Sequence, residues 1–281
     1  MNLITALYCL ILPLVSCLSS LPPQIPSQTP SDLKLEAWSQ TSGVFHGSTC
    51  SLLTTPKSLG FRGIFALRAI PAGSIIASIP FDLVVTGSGD VWASEITNKV
   101  KTLKEEEGGK LKGWIDGWEG GGCTSIDHAT RLLESCNIVD GVNSRLRDAV
   151  VTRVRQRVKD FNLLCGLGSL NPGDMDLYAL VCSRACHMGP SWGSGCVGVV
   201  PYYDMLNHCS SEEAVSVHLE SVGQAVERMR EGEKIPEGMN ERDMLIVASR
   251  DIREGEELLT SYVDGEGDEV DARKLVTWGF I

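Results

Sequence analysis

An apolar run through Val199, Val200 and Pro201 ends in Asp204, Asn207 and His208, three polar groups within five positions. A carboxylate, an amide and an imidazole at the end of a strand-like segment need partners, because buried polar groups without them cost stability. Those partners must come from a ligand or from a crossing stretch of chain. Three other patterns could do chemistry, and each is weaker. Gly193–Gly198 ("GSGCVG") fits G-x-G-x-x-G by letter, but it lies after a helix-like segment and before a strand-like one. A dinucleotide site needs the opposite order, with a helix N-terminus receiving the phosphates. Cys182, Cys186, His187, Cys196, His208 and Cys209 are zinc-ligand types, yet the short-spaced cysteine pairs of zinc sites are missing. Cys196 with His208 lacks both a strained elbow motif and an identifiable orienting acid, so it does not read as a nucleophile with its base.

The elements that must position these groups follow from periodicity. Phe61–Pro80 and Leu245–Tyr262 align with Ala66 on Ala248, Arg68 on Arg250, Ile70 on Ile252 and Gly73 on Gly255. Each stretch predicts a strand, a turn and a second strand, so two similar hairpins should bracket the chain. Alternation predicts a further strand at Ala214–Glu220. Leu146, Val150, Val154, Val158 and Phe161 form a helical stripe. Asp174–His187 predicts another helix, with Asp174 as its cap and Leu177, Leu180, Val181 and Ala185 facing a core. Gly87 to Gly195 therefore reads as a mostly helical insertion between two groups of short strands, and Glu227–Arg242 as a loop. The fold class is α+β.

The chain has 281 residues, 43% of them hydrophobic and 22% charged, which suits one large domain or one domain with an insertion. A formal net charge of −11 argues against nucleic-acid binding by phosphate neutralisation. The basic run Arg145–Lys159 reads as the solvated face of a helix. Residues 1–20 are apolar from Leu3 to Leu18, carry no charge and resemble a targeting leader. That stretch is short and interrupted by Pro13, so no stable membrane span is expected once the leader is removed. Residues 21–32, rich in Pro and Ser, read as a linker, and the folded unit should run from about Leu33 to Ile281. Of the ten cysteines, Cys9 and Cys17 lie in the leader. The other eight are scattered and read as buried free thiols, with a disulfide framework as the alternative in an oxidising lumen.

The segment Pro201–His208 resembles the Pro-x-x-Asp-x-x-Asn-His motif of SET-domain methyltransferases, specifically the branch of the Rubisco large-subunit lysine methyltransferase. Gly60, Arg62, Gly63, Ile64 and Ala66 resemble that family's opening motif, and "CSRAC" its Ser-Arg-Ala helix, with Arg184 as the arginine. "REGEELLTSY" resembles its second hairpin, ending on Tyr262, and the terminal "WGFI" its closing Tyr-Gly-Phe segment. Five segments in family order are far more specific than any one of them.

The resemblance implies a SET-type fold of short sheets with a C-terminal pseudoknot, S-adenosyl-L-methionine as cofactor, and methyl transfer to a protein, with lysine as acceptor and histidine as a second candidate. Non-histone proteins are favoured as substrate, because no flanking cysteine–zinc module is visible. By resemblance, the turn from Gly60 through Phe65 places backbone groups beside the cofactor, and Arg184 pairs with its carboxylate. Asn207 and the His208 backbone hold its amino-acid and adenine portions. Asp204 supports the turn or touches the cofactor. Tyr262 aims its hydroxyl at the transferred methyl, and Phe280 walls the site.

The sequence departs from the family in three places. Trp278 stands where a second tyrosine is usual, in the substrate pocket, and removes one hydroxyl there. The helical domain that follows the Gly-Phe closure in many relatives is not seen before Ile281, so either the sequence is a fragment or recognition rests on 87–195. The insertion itself matches the family poorly. These departures motivate a rival reading, a catalytically silent SET-fold interaction module. The leader implies an organelle such as a plastid, or the secretory pathway.

Overall fold

The structure, a computed structural model, describes residues 27–46, 49–54, 62–118, 144–193, 195–209, 213–228, 235 and 238–261. Helix α1 (Pro30–Ser42) is the first helix among the described residues. Thr29 caps it reciprocally with Asp32: Asp32 N donates to Thr29 Oγ1 (3.2 Å) and Thr29 N to Asp32 Oδ2 (2.8 Å). Pro30 occupies the first turn, where its missing N–H would find no helical partner. The expected linker therefore gives way to ordered structure before Leu33. Pro, Ser, Thr and Asp mark helix starts as well as linkers, and composition alone does not separate the two.

Strands β1 (Phe45–His46), β2 (Cys50–Thr54), β3 (Arg62–Ala66), β4 (Ile75–Ile79) and β5 (Val85–Ser88) follow. Next come helices α2 (Trp92–Glu105), α3 (Lys112–Asp116), α4 (Ser144–Gly166) and α5 (Met175–Arg184). Strands β6 (Cys186–His187), β7 (Cys196–Val199), β8 (Asn207–His208) and β9 (Val217–Ser221) lead to helix α6 (Val222–Arg228). Strands β10 (Met244–Ala248) and β11 (Leu259–Thr260) close the described chain. The sheets are small: β1-β4-β10-β9, β2-β3, β5-β7-β6 and β8-β11. Short sheets with helices gathered between β5 and β6 make the α+β class plain.

The two aligned stretches are not hairpins. β3 pairs with β2, β4 pairs with β1 and β10, and β11 pairs with β8. The stretches pair with each other instead. Ala66 N donates to Glu256 O (2.9 Å), and Ala248 N donates to Ser74 O (3.0 Å). Gly255 N donates to Ala66 O and Gly73 N to Ala248 O, both at 2.8 Å. Under the sequence alignment these bonds are counterparts, so a local two-fold relates the stretches. Ile70 and Ile252 meet at its centre, exchange main-chain bonds of 2.9 and 2.8 Å, and are each 2% exposed. Gly73 (φ 81°) and Gly255 (φ 79°) make the matching left-handed turns, which favour glycine. Alternation specifies a strand but not the edge it pairs with. Pairing between counterparts buries both isoleucines.

The core runs from β10, buried along its whole length, to α2 and Trp114. On α4, Phe161 and Leu164 pack with Ala93, Leu170 and Tyr178 in a second cluster. Asp174 precedes α5, yet its carboxylate does not cap that helix. It accepts from Asn171 N (2.9 Å) and Lys101 Nζ (2.8 Å), closing the preceding turn. The described cysteines Cys50, Cys165, Cys182, Cys186, Cys196 and Cys209 are free thiols. Among the described residues, no helix is long and apolar enough to cross a membrane.

Candidate functional site

Asp204 and Asn207, which follow the Val199–Pro201 run, find partners on four separate stretches of chain, around Arg62, Trp114, Arg184 and Glu257. β8 pairs in parallel with β11, Leu259 opposite Asn207 and Thr260 opposite His208. Cys209 N donates to Thr260 O (3.0 Å), and Ser216 N to Leu259 O (2.9 Å). Tyr203, in the 3-10 turn Tyr203–Met205, shares a hydrogen bond of 2.9 Å with Thr260 Oγ1. Burial pushes the Tyr203 phenol well above its ordinary range. The turn and the late strand are thus fastened by main chain and side chain together.

Asn207 is the centre of the first cluster. Its Nδ2 donates to Arg62 O (2.8 Å) and to Glu257 Oε1 (2.6 Å). A carbonyl and a carboxylate can only accept, so the amide nitrogen must face them, and Oδ1 is the group that remains. Gly63 makes this contact possible: a Cβ there would stand 3.0 Å from Asn207 Nδ2 and collide with Glu257 Oε1. Phe65 is buried and bridges to Glu257 through the main chain. Burial raises the Glu257 carboxyl above its ordinary value, and the Asn207 amide partly offsets that shift.

Arg184 and Asp204 form the second cluster. Arg184 Nη1 donates to Asp204 Oδ2 (2.9 Å) and to Asp204 O (3.2 Å). Trp114 Nε1 donates to Asp204 Oδ1 (3.2 Å). The guanidinium lies over the Trp118 ring, 5.3 Å from its centroid. Trp114 and Trp118 meet edge to face at 4.9 Å. The Asp204 side chain is wholly enclosed. Burial raises its pKa, opposed chiefly by the charge of Arg184. Burial also pushes the neighbouring Cys186 thiol up to about 12, with the Asp204 carboxylate adding to the effect. Tyr202 leads into this turn at φ 71°, a costly conformation for a bulky side chain. Its hydroxyl lies 3.6 Å from Cys50 Sγ.

Three of the expected site residues are held by protein groups. Asp204 is enclosed by protein donors and holds the turn, the first of the two roles expected of it. Arg184 clasps the Asp204 carboxylate through Nη1. The Arg62 side chain points to α1 and α3: Nε pairs with Asp32 Oδ1 (2.9 Å), Nη1 donates to Gly117 O (2.8 Å) and Nη2 to Ser31 Oγ (2.9 Å). Only the Arg62 carbonyl reaches the Asn207 cluster. Gly60, Tyr262, Trp278 and Phe280 lie outside the described residues, as do residues 262–281, where the C-terminal pseudoknot was expected. Of His208 the structure describes only the backbone, in β8.

Sequence reasoning missed Glu257, Trp114, Trp118, and the Tyr203–Thr260 pair. Two signals were available. In the internal alignment Glu257 falls opposite Ile75, an acid where the counterpart strand is apolar. Trp114 and Trp118 stand four apart, the spacing of one helical face.

The model of the SET domain family matches residues 61–263. No curated protein sequence is similar enough to match. Among solved structures, the SET domain of LSMT bound to lysine and AdoHcy is similar at a TM-score of 0.57 and 15% identity, over 91% of this chain and 58% of that one. Rubisco LSMT bound to AdoMet is similar at 0.53 and 14%, over 90% of this chain and 57% of that one. Rubisco LSMT bound to sinefungin and monomethyllysine is similar at 0.52 and 13%, with the same two coverages of 90% and 57%. At these identities the likeness is one of fold, and this chain spans less than three-fifths of each neighbour's length. The matched family stretch includes both side-chain clusters and most of the chain, and the protein therefore belongs to the SET-domain family.

Proposed function

We propose that this chain is a protein methyltransferase that uses S-adenosyl-L-methionine and acts on lysine of a non-histone protein. The observation that carries the reading is the Asn207 cluster. Two distant stretches converge on one amide and occupy both hydrogens of its nitrogen, leaving Oδ1 as the acceptor that can face a ligand. An acceptor oxygen fits the ammonium end of the cofactor's amino-acid portion. Family membership supports the same reading, as do similar folds that hold AdoMet, AdoHcy and lysine.

When bound, the cofactor supplies an activated sulfonium methyl for in-line transfer to a neutral amine. The chain's own part is binding, aiming and exclusion of water, for which no strong base is required. Asn207 and the β3 backbone hold the cofactor. Arg184, Asp204 and the two tryptophans keep the turn in place. In this reading the Tyr262 hydroxyl orients the acceptor amine, Phe280 walls the site, and Trp278 replaces a hydroxyl with bulk and limits how many methyl groups are added.

The test is calorimetric titration of the purified chain with S-adenosylmethionine, followed by transfer of labelled methyl to a protein extract and mass-spectrometric location of the acceptor. Cofactor binding and a labelled lysine are expected. Tyr262→Phe should lower turnover roughly a hundredfold while the cofactor Kd changes little. A folded wild-type chain that binds no cofactor would refute the reading in favour of a silent interaction module. A labelled histidine would correct the acceptor.

A further inference from the structure

We propose that Glu257 is a positioning residue of the cofactor site, setting the Asn207 amide so that it presents only its oxygen to the ligand. The inference rests on the cofactor reading above. Glu257 Oε1 accepts from Asn207 Nδ2 at 2.6 Å, and the second amide hydrogen goes to Arg62 O at 2.8 Å. An amide turned the other way would set its oxygen against a carboxylate and a carbonyl, two acceptors facing a third. The flip is therefore opposed by electrostatics, and the amide enters the site with one defined polarity. A ligand group meeting it must donate, as an ammonium does.

Glu257 is itself held by the main chain. Ala66 N donates to Glu256 O (2.9 Å) and Leu258 N to Ile64 O (2.8 Å), so both flanking residues are bonded to β3. Gly63 lies under the carboxylate, and any side chain there would displace it. The local two-fold makes the same point. At the counterpart position the chain has Ile75, an apolar residue of β4 that pairs with Val247 beside a register shift in the β4–β10 ladder. The acid at 257 is not needed to build the strand–turn–strand unit. It is the place where one copy of that unit departs from the other to face Asn207.

The experiment compares cofactor Kd and turnover at saturating cofactor for the full chain and four variants. Glu257→Ala should weaken S-adenosylmethionine binding about 10- to 100-fold, the range carried by a hydrogen bond to a charged group. Turnover at saturation should stay within about threefold, because the reacting atoms are not touched. Glu257→Gln keeps an acceptor oxygen and should restore Kd to within about threefold of wild type. Asn207→Asp sets two carboxylates together and should bind at least as poorly as Glu257→Ala. Combining it with Glu257→Gln restores a donor–acceptor pair and should recover affinity over Asn207→Asp alone. Wild-type affinity in Glu257→Ala, or no recovery in the double variant, overturns the assignment. A wild-type chain that binds no cofactor fails earlier, on the functional reading itself.

Discussion

Replacing Arg62 with alanine separates the two roles that residue could have. Its guanidinium pairs with Asp32 and bonds Gly117 O and Ser31 Oγ, with side-chain exposures of 11% for Arg62 and 0% for Asp32. Removing one partner of a buried pair leaves the other charge uncompensated, at a cost of about 3–5 kcal/mol. For a domain of this size that cost lowers the Tm by roughly 6–20 °C. The side chain points away from Asn207, and the Arg62 carbonyl survives the substitution. Cofactor Kd, measured well below the new Tm, should therefore stay within about threefold of wild type. The paired change Arg62→Met with Asp32→Asn removes both charges and should recover more than half of the lost stability. Thermal unfolding followed by circular dichroism, beside calorimetric titration, reads both quantities. An unchanged Tm with lost cofactor affinity would refute the argument and return Arg62 to the cofactor site.

The Tyr203–Thr260 hydrogen bond should appear as a coupling of about 1 kcal/mol in a urea-denaturation cycle of Tyr203→Phe, Thr260→Val and the double variant. Additive single effects would mean that the two hydroxyls do not fasten the turn to β11. Asp174 gives an acid dependence. Its pKa is lowered, first by the Lys101 hydrogen bond and then by the Asn171 backbone. Its contribution is therefore present above the unfolded carboxylate pKa of about 4 and is lost as pH falls through the folded value. Denaturation midpoints should drop on acidification in that window, and Asp174→Asn should remove part of the slope. An identical slope in the variant would contradict this sign.

Local signals in the sequence pointed to much of the site. Asn207 stood out because a polar group at the end of an apolar run needs a partner, and the structure supplies Arg62 O and Glu257. Gly63 was legible as a point of close approach, although what approaches among the described residues is Asn207 and Glu257. Asp204 and Arg184 stood out as charges, but their pairing with each other did not, since sequence shows a charge without showing what it faces. The helix start at Thr29–Asp32 was hidden because capping residues and linker residues share a composition.

The internal repeat separates what sequence determines from what it leaves open. Alternation and the matched glycines fixed two strand–turn–strand units, because side-chain period and left-handed turns are local properties of the chain. Which edges met was decided by tertiary structure, through burial of Ile70 against Ile252 and exchange of main-chain bonds between the units. The same distinction holds at the site. The amide, the carboxylates and the guanidinium are written in the sequence. Their pairing depends on long-range closure, where solvent exclusion and hydrogen-bond satisfaction over the whole fold select one set of partners from many.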